Sequence, residues 1–284
     1  MNVTAVVVTR DRPGLLEQTL DALAAQSYPL SSVIVVDNAS GDDTRVLLAA
    51  RNGIVVHRLD VNTGGAGGFA VGVHQGMEAG ADWIWLLDDD AVPHVDALEH
   101  LVAAMPAAGE RVGALCSAVH EFGGIALQHR RYFHSATLRE PSVPLSAYDQ
   151  NIVPVDTASF VGFLLNARAA ESAGIPNSGF FLAYDDTEYS LRLGNAGWRV
   201  WLVPTSLIDH KRGPQGRLRH GPFGAKHYYN LRNQLAVKRH YGKAASWRLA
   251  VPIVLFGMIA LRDCRLASLR LWYRSIRDSR DVSL

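Results

Sequence analysis

The 284-residue chain carries 28 basic and 27 acidic residues, and its formal net charge of +1 argues against general nucleic-acid binding. With 48% hydrophobic residues, it has the composition of one large packed domain, or of a domain with an appendage. Cys116 and Cys264 lack metal-ligand spacing, so we expect two buried thiols in a reducing compartment. The N-terminus has no signal-peptide layout, which indicates a cytoplasmic protein.

The first ninety residues alternate between short apolar runs and stretches of helical spacing. Strands are predicted at 3–9, 33–36, 54–59 and 83–87, with helices beginning near residues 11, 42 and 69. This alternation indicates an α/β fold with a mostly parallel sheet flanked by helices. Ligands of such sheets lie beyond the carboxyl ends of the strands. Because Asp37, Asn62 and Asp88 fall at such ends, we expect them to share one crevice.

The second half of the chain is less regular. Residues 120–150 have no periodicity and are predicted to form loops. A strand is predicted at 160–165, a short helix at 168–173, and a strand-like run at 180–184 that passes into a helix. Two further strands and a helix complete the predicted elements, at 198–203, 207–208 and 224–241.

Three consecutive aspartates, Asp88, Asp89 and Asp90, follow the apolar run at 83–87. Like charges at the edge of a core repel one another unless a cation neutralises them. Carboxylates in this pattern suit a hard divalent ion that also carries phosphate oxygens. The alternative is a solvated turn after the strand, since aspartate favours turns. The triplet directly after a tryptophan-rich buried strand favours the metal site.

A glycine-rich turn at 62–68 precedes the third predicted helix. Gly65, Gly67 and Ala70 match the dinucleotide-binding pattern G-x-G-x-x-A, which makes an NAD(P)-dependent oxidoreductase an alternative. That pattern belongs on the first strand of its fold, whereas two strand–helix units come before it here. We therefore interpret the glycines as allowing the backbone to approach a nucleotide-bearing ligand closely.

A second acidic cluster, Asp185 and Asp186 with Glu188, opens a predicted helix. Carboxylates there can simply stabilise the helix N-terminus. They also meet the needs of a general base, which must stay ionised and reach a substrate proton. His210 lies at a predicted strand end and is a candidate third metal ligand beside Asp88 and Asp90.

Seven short motifs occur in one order and with matching spacing: Val6-Val7-Val8-Thr9-Arg10, Val35-Val36-Asp37-Asn38-Ala39-Ser40, Asn62-Thr63-Gly64-Gly65-Ala66-Gly67-Gly68, Leu87-Asp88-Asp89-Asp90, Tyr184-Asp185-Asp186-Thr187-Glu188, Asp209-His210-Lys211 and Tyr229-Asn230-Leu231-Arg232-Asn233. Over residues 3–240 the chain resembles the inverting glycosyltransferases of family 2, which have the GT-A fold. The glycine-rich element followed by three aspartates most resembles bacterial galactofuranosyl- and rhamnosyltransferases of the cell-envelope type.

The resemblance implies roles for particular residues. Asp88 and Asp90 would be the ends of a metal-binding D-x-D motif for Mn²⁺ or Mg²⁺, with His210 as a further ligand. Asp186 would be the base, although the family's usual Glu-Asp pair is Asp185-Asp186 here and leaves both carboxylates as candidates. The implied nucleotide-binding residues are Thr9, Arg10, Asp37, Asn38, Asn62, Gly65 and Asp89.

The function implied is a metal-dependent inverting transfer of a galactofuranose- or rhamnose-type sugar from a UDP- or dTDP-sugar. Its acceptor would be a hydroxyl of a glycan, a lipid-linked glycan or a small molecule. A non-catalytic sugar-nucleotide-binding module is a third interpretation. Four basic residues that follow the histidine are candidates for diphosphate contacts or for a solvated loop: Lys211, Arg212, Arg217 and Arg219.

The C-terminal segment, residues 241–284, contains the apolar stretch 249–261, which is too short to span a bilayer. Arginines flank it on both sides, so the segment could lie on an anionic membrane surface, at the inner face of the cell membrane. The alternative is a helical pair packed on the glycosyltransferase domain of residues 1–240.

Overall fold

The computed structural model describes residues 1–211, 213 and 222–284. Over this part of the chain the strands are β1 (Val3–Thr9), β2 (Ser32–Asp37), β3 (Val55–Arg58), β4 (Trp83–Asp88), β5 (Ala91–Pro93), β6 (Val112–Glu121), β7 (Gly124–Ile125), β8 (Arg130–Arg131), β9 (Val153–Val155), β10 (Thr157–Ala158), β11 (Phe163–Asn166) and β12 (Arg199–His210). The helices are α1 (Pro13–Ala24), α2 (Asp42–Ala50), α3 (Gly64–Glu78), α4 (Ala97–Ala108), α5 (Ala167–Ala173), α6 (Asp185–Asn195), α7 (Ala225–Tyr241), α8 (Ala250–Arg262) and α9 (Leu266–Asp278).

The main sheet has the order β3-β2-β1-β4-β11-β6-β12-β5. Its first four strands are parallel, as the strand–helix alternation predicted. The other half is mixed, because β11 runs antiparallel between β4 and β6, and β5 runs antiparallel beside β12. The α/β fold is confirmed. Parallel pairing is continuous over β3, β2, β1 and β4, and in the mixed half β6 and β12 are also parallel.

Helices cover both faces of the parallel half, which explains its continuous apolar strands. Along β1, Val6 and Val8 pack in one core together with residues of α3, such as Phe69. The alternate residues Ala5 and Val7 pack in the other core, with residues of α1 and α4. Burial on both faces removes the polar alternation of a half-exposed strand.

The glycine-rich segment is helical, so the prediction that the third helix begins at residue 69 was wrong. It begins at Gly64, and its glycines bring the helix against the sheet. A Cβ atom on Gly68 would lie 2.5 Å from a Val8 methyl carbon, and one on Gly72 would lie 2.2 Å from a Val6 methyl carbon. Close helix–sheet packing therefore accounts for these glycines.

The strand-like run predicted at 180–184 is also wrong. The segment is a short 3₁₀ turn followed by Phe181, Ala183 and Tyr184 in left-handed backbone conformations, with φ of 62°, 66° and 67°. Asn233 of α7 holds this loop, since its amide nitrogen donates to the carbonyl oxygens of Phe180, Leu182 and Ala183 at 2.8–3.0 Å. Side-chain hydrogen bonds thus stabilise a backbone that costs about 1–3 kcal/mol per strained residue.

Three smaller expectations need correction. The two strands predicted at 198–203 and 207–208 are one strand, β12, with an irregularity between Val203 and Leu207. The strand predicted at 160–165 begins only at Phe163. Cys116 is buried as expected, but Cys264 is exposed in the turn between α8 and α9.

The C-terminal segment is helical and joins the rest of the protein through α7. The Tyr228 hydroxyl donates to Asp278 of α9 at 2.7 Å, and an Arg239 guanidinium nitrogen donates to the Ser279 carbonyl at 3.1 Å. Within the described residues, no helix combines the length and apolar character needed to cross a membrane.

We expect Gly64→Ala to destabilise the fold by about 2–4 kcal/mol, through a left-handed backbone and a steric clash. Gly64 has φ of +73°, and a Cβ there would lie 1.8 Å from the Phe181 carbonyl oxygen. Urea unfolding measures the loss. Gly65→Ala is the matched control, because its Cβ would meet no atom within 4 Å. Equal losses in the two variants would contradict this explanation.

Candidate active site

The acidic triplet and His210 meet although they are far apart in sequence. Asp88 ends β4, and His210 ends β12, where it pairs with Ala91 of β5. The His210 Nε2 lies 3.2 Å from Asp90 Oδ1. One ligand atom from each of Asp88, Asp90 and His210 lies within 4.8 Å of the other two. The three residues predicted to hold the metal are therefore neighbours.

The electrostatics of this cluster fit a divalent cation. Burial raises the pKa of Asp88 to about 6, and repulsion from Asp90 adds to the shift. Burial lowers the pKa of His210, but hydrogen bonds to Asp90 and Glu121 outweigh it and raise that pKa to about 9. Two carboxylates and an imidazole form a donor set that suits Mn²⁺ or Mg²⁺. Such an ion would take over the charge compensation that His210 provides here.

Glu121, at the end of β6, is a residue that the sequence reasoning missed. Its Oε1 is 2.8 Å from His210 Nδ1 and 3.0 Å from His129 Nε2, so one carboxylate oxygen orients two imidazoles. Gln128 donates to the other oxygen at 2.9 Å. A carboxylate behind a ligating histidine fixes its tautomer and ring orientation. The apolar run that ends in His120 and Glu121 was the available signal, because it places these residues at a strand end.

Asp89, predicted to bind the nucleotide, is fully buried and already has partners. Its carboxylate accepts a hydrogen bond from the Thr9 hydroxyl at 2.8 Å and pairs with an Arg12 nitrogen at 2.6 Å. Arg12 also donates to Asp90 at 2.6 Å. Burial raises the pKa of Asp89 to about 7, while Arg12 and Thr9 oppose the shift. In this arrangement Thr9 and Asp89 brace the acidic strand end.

Asp37 and Asn38 lie at the carboxyl end of β2, next to the predicted crevice. Asp37 is buried, forms an ion pair with Arg58 and accepts from the Ser40 backbone nitrogen at 2.9 Å. Asn38 donates to the Gly64 carbonyl and accepts from the Thr63 nitrogen, both at 2.8 Å. Both side chains thus shape the surrounding loops.

The remaining predicted nucleotide contacts are more accessible. Arg10 is exposed at the end of β1, and its backbone nitrogen donates to Asp89 at 3.3 Å. Asn62 lies just before α3 and accepts from the Gly64 backbone nitrogen at 2.9 Å. Gly65 faces open space. A ligand can approach the backbone at Gly65 in a way that the packed glycines of α3 do not allow.

Asp185 and Asp186 open α6 and face the acidic triplet. Burial raises the pKa of Asp185 well above its ordinary value, and the charges of Asp186 and Asp88 add to this effect. Asp186 is less buried, and its Oδ1 accepts from the Thr187 backbone nitrogen at 2.6 Å and from the Thr187 hydroxyl at 3.1 Å. Arg131 in turn donates to that hydroxyl at 2.7 Å. The two acidic clusters therefore share one electrostatic environment.

Of the four basic residues after the histidine, only Lys211 is described. Its ammonium lies 3.1 Å from Asp209 Oδ2, and its backbone nitrogen donates to the Asp90 carbonyl at 2.8 Å. Arg212, Arg217 and Arg219 lie outside the described residues.

We expect Glu121→Gln to weaken Mn²⁺ binding by about 10-fold or more, because the neutral amide no longer holds the imidazole of His210 as a ligand. Calorimetric titration with Mn²⁺ measures the change. Glu99→Gln is the control, since Glu99 bonds the Ser27 hydroxyl at an exposed site. Unchanged affinity in Glu121→Gln would show that the contact does not support a metal.

Comparison with known proteins gives a consistent result. The model of glycosyl transferase family 2 matches residues 4–168. The galactofuranosyltransferase GlfT1 of Mycobacterium tuberculosis is 33% identical over 204 residues, which are 69% of this chain and 66% of that protein. GlfT1 of Mycolicibacterium smegmatis is 32% identical over 217 residues, covering 74% of this chain and 71% of that protein. The match thus spans just under two thirds of the M. tuberculosis relative.

The fold is also shared with solved structures. GalNAc-T7, crystallised with UDP, GalNAc and Mn²⁺, superposes with a TM-score of 0.64 at 16% identity, over 84% of this chain and 48% of that one. This likeness confirms the GT-A fold. Nothing in these comparisons supports the oxidoreductase alternative. With more than half of its length matched by the family model, this chain belongs to glycosyl transferase family 2.

Proposed function

We propose that the protein is a metal-dependent inverting glycosyltransferase that moves a galactofuranose-type sugar from a UDP-sugar to a hydroxyl of a glycan or glycolipid acceptor. The observation that carries the proposal is the cluster in which Asp88, Asp90 and His210 converge, with the charge of Asp186 acting on Asp88. The two GlfT1 relatives favour galactofuranose over rhamnose, and the UDP-bound GalNAc-T7 structure favours UDP over dTDP.

In this proposal Asp88, Asp90 and His210 hold a divalent ion, Mn²⁺ or Mg²⁺. When bound, the ion acts as a Lewis acid that offsets the charge growing on the leaving nucleoside diphosphate. Glu121 keeps the His210 ring oriented, and Arg12 holds Asp89 and Asp90 in place behind the ligands. The protein thus supplies a preorganised site for charge that develops during the reaction.

Asp186 is the base that we propose takes the proton from the acceptor hydroxyl. Both hydrogen bonds from Thr187 go to Oδ1, and Oδ2 is the oxygen that we propose accepts the proton. Burial raises the pKa of Asp186, and Arg131 opposes the shift, so the carboxylate is more basic than an exposed one yet retains a stabilising cation. Asp185 is more buried, which favours Asp186 as the group that reaches the acceptor.

The nucleotide is expected to lie over Arg10, Asn62 and Gly65, where α3 begins. Gly65 offers backbone without a side chain, and Asn38 fixes the turn at Thr63 and Gly64 below it. Asp37, Thr9 and Asp89 would then support the subsite through the loops that they hold. Lys211 is a candidate for a diphosphate contact, but it is paired with Asp209 in this structure.

We expect Asp186→Asn to lower transfer by about 10²–10⁴-fold, the range for loss of a general base. The assay is enzyme-dependent release of UDP from UDP-galactofuranose, with dTDP-rhamnose and NAD as competing candidates for binding. Asp186→Asn should keep its affinity for UDP with Mn²⁺. Asp185→Asn is the matched control and should lose less activity. Full activity in Asp186→Asn would contradict its assignment, and NAD binding in place of UDP would contradict the proposed function.

We also propose that residues 241–284 hold the catalytic unit, residues 1–240, at an anionic membrane surface. Five apolar residues along one face of α8 are each more than half exposed: Val251, Val254, Leu255, Met258 and Leu261. Residues 242–284 contain eight basic and three acidic residues. Two of those acids already have partners, since Asp263 accepts from the Phe223 nitrogen and Asp278 from the Tyr228 hydroxyl. An apolar face with basic flanks fits anionic headgroups.

We expect Leu255→Glu with Met258→Glu to reduce binding to phosphatidylglycerol vesicles by at least about 10-fold, because negative charge replaces apolar side chains on the face that would enter the membrane. Vesicle co-sedimentation at low and high salt measures binding. Val46→Glu on α2 is the control, since Val46 is also more than half exposed but lies on another helix. If the double variant on α8 binds the vesicles as the wild type does, α8 does not contact the membrane.

A further inference from the structure

A third group of ligating side chains lies outside the proposed active site. His94, His120 and Asp209 each offer one ligand atom, and these atoms all lie within 4.8 Å of one another. His94 Nε2 is 3.4 Å from Asp209 Oδ1, and His120 Nδ1 is 3.8 Å from the same oxygen. No step of the proposed mechanism uses these residues.

The sheet itself brings this group together. His120 of β6 and Asp209 of β12 are register partners on adjacent parallel strands. His94 directly follows β5, whose Pro93 pairs with Ile208, and the His94 backbone nitrogen donates to the Leu207 carbonyl at 3.0 Å. Three adjacent strand ends therefore fix the three Cα positions, so the convergence does not depend on a long loop.

Hydrogen bonding accounts for at most one of the two imidazoles that face this oxygen. The 3.8 Å between His120 Nδ1 and Asp209 Oδ1 exceeds a hydrogen bond, and the 3.4 Å to His94 is long for one. Tetrahedral zinc with bonds of about 2.0–2.1 Å places its ligands about 3.4 Å apart. Lys211 uses the other carboxylate oxygen, Oδ2, at 3.1 Å and leaves Oδ1 facing the histidines.

We propose that His94, His120 and Asp209 form a second metal site, selective for a zinc-class transition ion such as Zn²⁺, Ni²⁺ or Cu²⁺. Two imidazoles and one carboxylate suit these ions, whereas a carboxylate-rich set suits Mg²⁺ and Mn²⁺. The side chains are 33–40% exposed, so water completes the coordination. The site is independent of the proposed transferase activity.

The two metal sites lie back to back on the same pair of strands. Consecutive residues of a strand point to opposite faces. We call the group of His94, His120 and Asp209 the outer site, and the group of Asp88, Asp90 and His210 the inner site. On β6, His120 belongs to the outer site and the next residue, Glu121, contacts His210. On β12, Asp209 belongs to the outer site and the next residue, His210, to the inner one. An ion at the outer site would therefore bridge the strands that position the inner ligands.

The test uses Zn²⁺ calorimetry on the His210→Ala variant, because His210 is shared by the other two described groups of candidate ligands, Asp88-Asp90-His210 and Glu121-His129-His210. We expect this variant to bind one Zn²⁺ per chain, and added His94→Ala or His120→Ala to weaken that binding by at least about 10-fold. His74→Ala is the control. Among the described residues, the one acidic side chain paired with His74 is the exposed Glu78, so His74 is not expected to bind zinc.

Wild-type protein provides a second measurement that does not depend on the folding of His210→Ala. The Zn²⁺ stoichiometry should fall by one between the wild type and the double variant His94→Ala, His120→Ala. The proposal is overturned if folded His210→Ala binds no Zn²⁺ at about 100 µM, a weak limit for a three-ligand zinc site. It is equally overturned if removal of both histidines leaves stoichiometry and affinity unchanged.

Discussion

Confinement of like charges at the end of β4 is the constraint on which the rest of the site depends. Three consecutive carboxylates cannot stay ionised beside a buried strand without compensation. Arg12 pairs with Asp89 and Asp90, and His210 contacts Asp90 from another strand. The negative charge at the end of β4 is therefore compensated by two residues from other elements, Arg12 before α1 and His210 at the end of β12. The same demand makes a divalent ion a natural occupant of the crevice.

The residues that compensate the charge at the end of β4 are themselves held by a chain of hydrogen bonds. Glu121 orients His210 and His129, and the His129 Nδ1 lies 2.7 Å from the Ser159 hydroxyl. Burial lowers the pKa of His129 to about 4, so its ring tends to remain neutral beside the cationic His210. The neutral imidazole of His129 thus separates the Glu121–His210 pair from the Ser159 hydroxyl, to which the buried Arg130 guanidinium also donates, at 3.2 Å.

The C-terminal helices and the proposed base are mechanically connected. Asn233 of α7 holds the strained loop that leads into Asp185 and Asp186, and the Tyr228 hydroxyl of the same helix bonds Asp278 of α9. Near the chain end, Asn177 donates to the Ser283 carbonyl at 2.7 Å. A membrane contact through α8, as proposed, would therefore act on a segment that also braces the loop before Asp185 and Asp186.

The sequence by itself determined the α/β class, the positions of the acidic clusters at element ends and the partnership of Asp88, Asp90 and His210. Local periodicity suffices for the class and for the acidic clusters, because these depend on residues near in sequence. The partnership with the distant His210 was indicated by the strand-end rule and by the family resemblance. Whether Asp186 or Asp185 is the base, and which residues contact the nucleotide, remain predictions. The tertiary structure decided that Asp89, Asn38 and Thr9 have internal partners, because only three-dimensional packing shows which polar groups are already satisfied.

The tertiary structure also determined the conformation of two segments for which the local sequence pattern gave a wrong prediction. The glycine-rich segment predicted a turn, yet it lies in helix α3. Gly68 and Gly72 pack so close to Val8 and Val6 of β1 that no side chain would fit there. The apolar run at 180–184 predicted a strand. Instead, Asn233 of α7 holds it as a loop in which three residues have positive φ angles. Glu121 and the group of His94, His120 and Asp209 arise from strand register, which no single segment encodes. Long-range pairing, and not local propensity, assembled these sites.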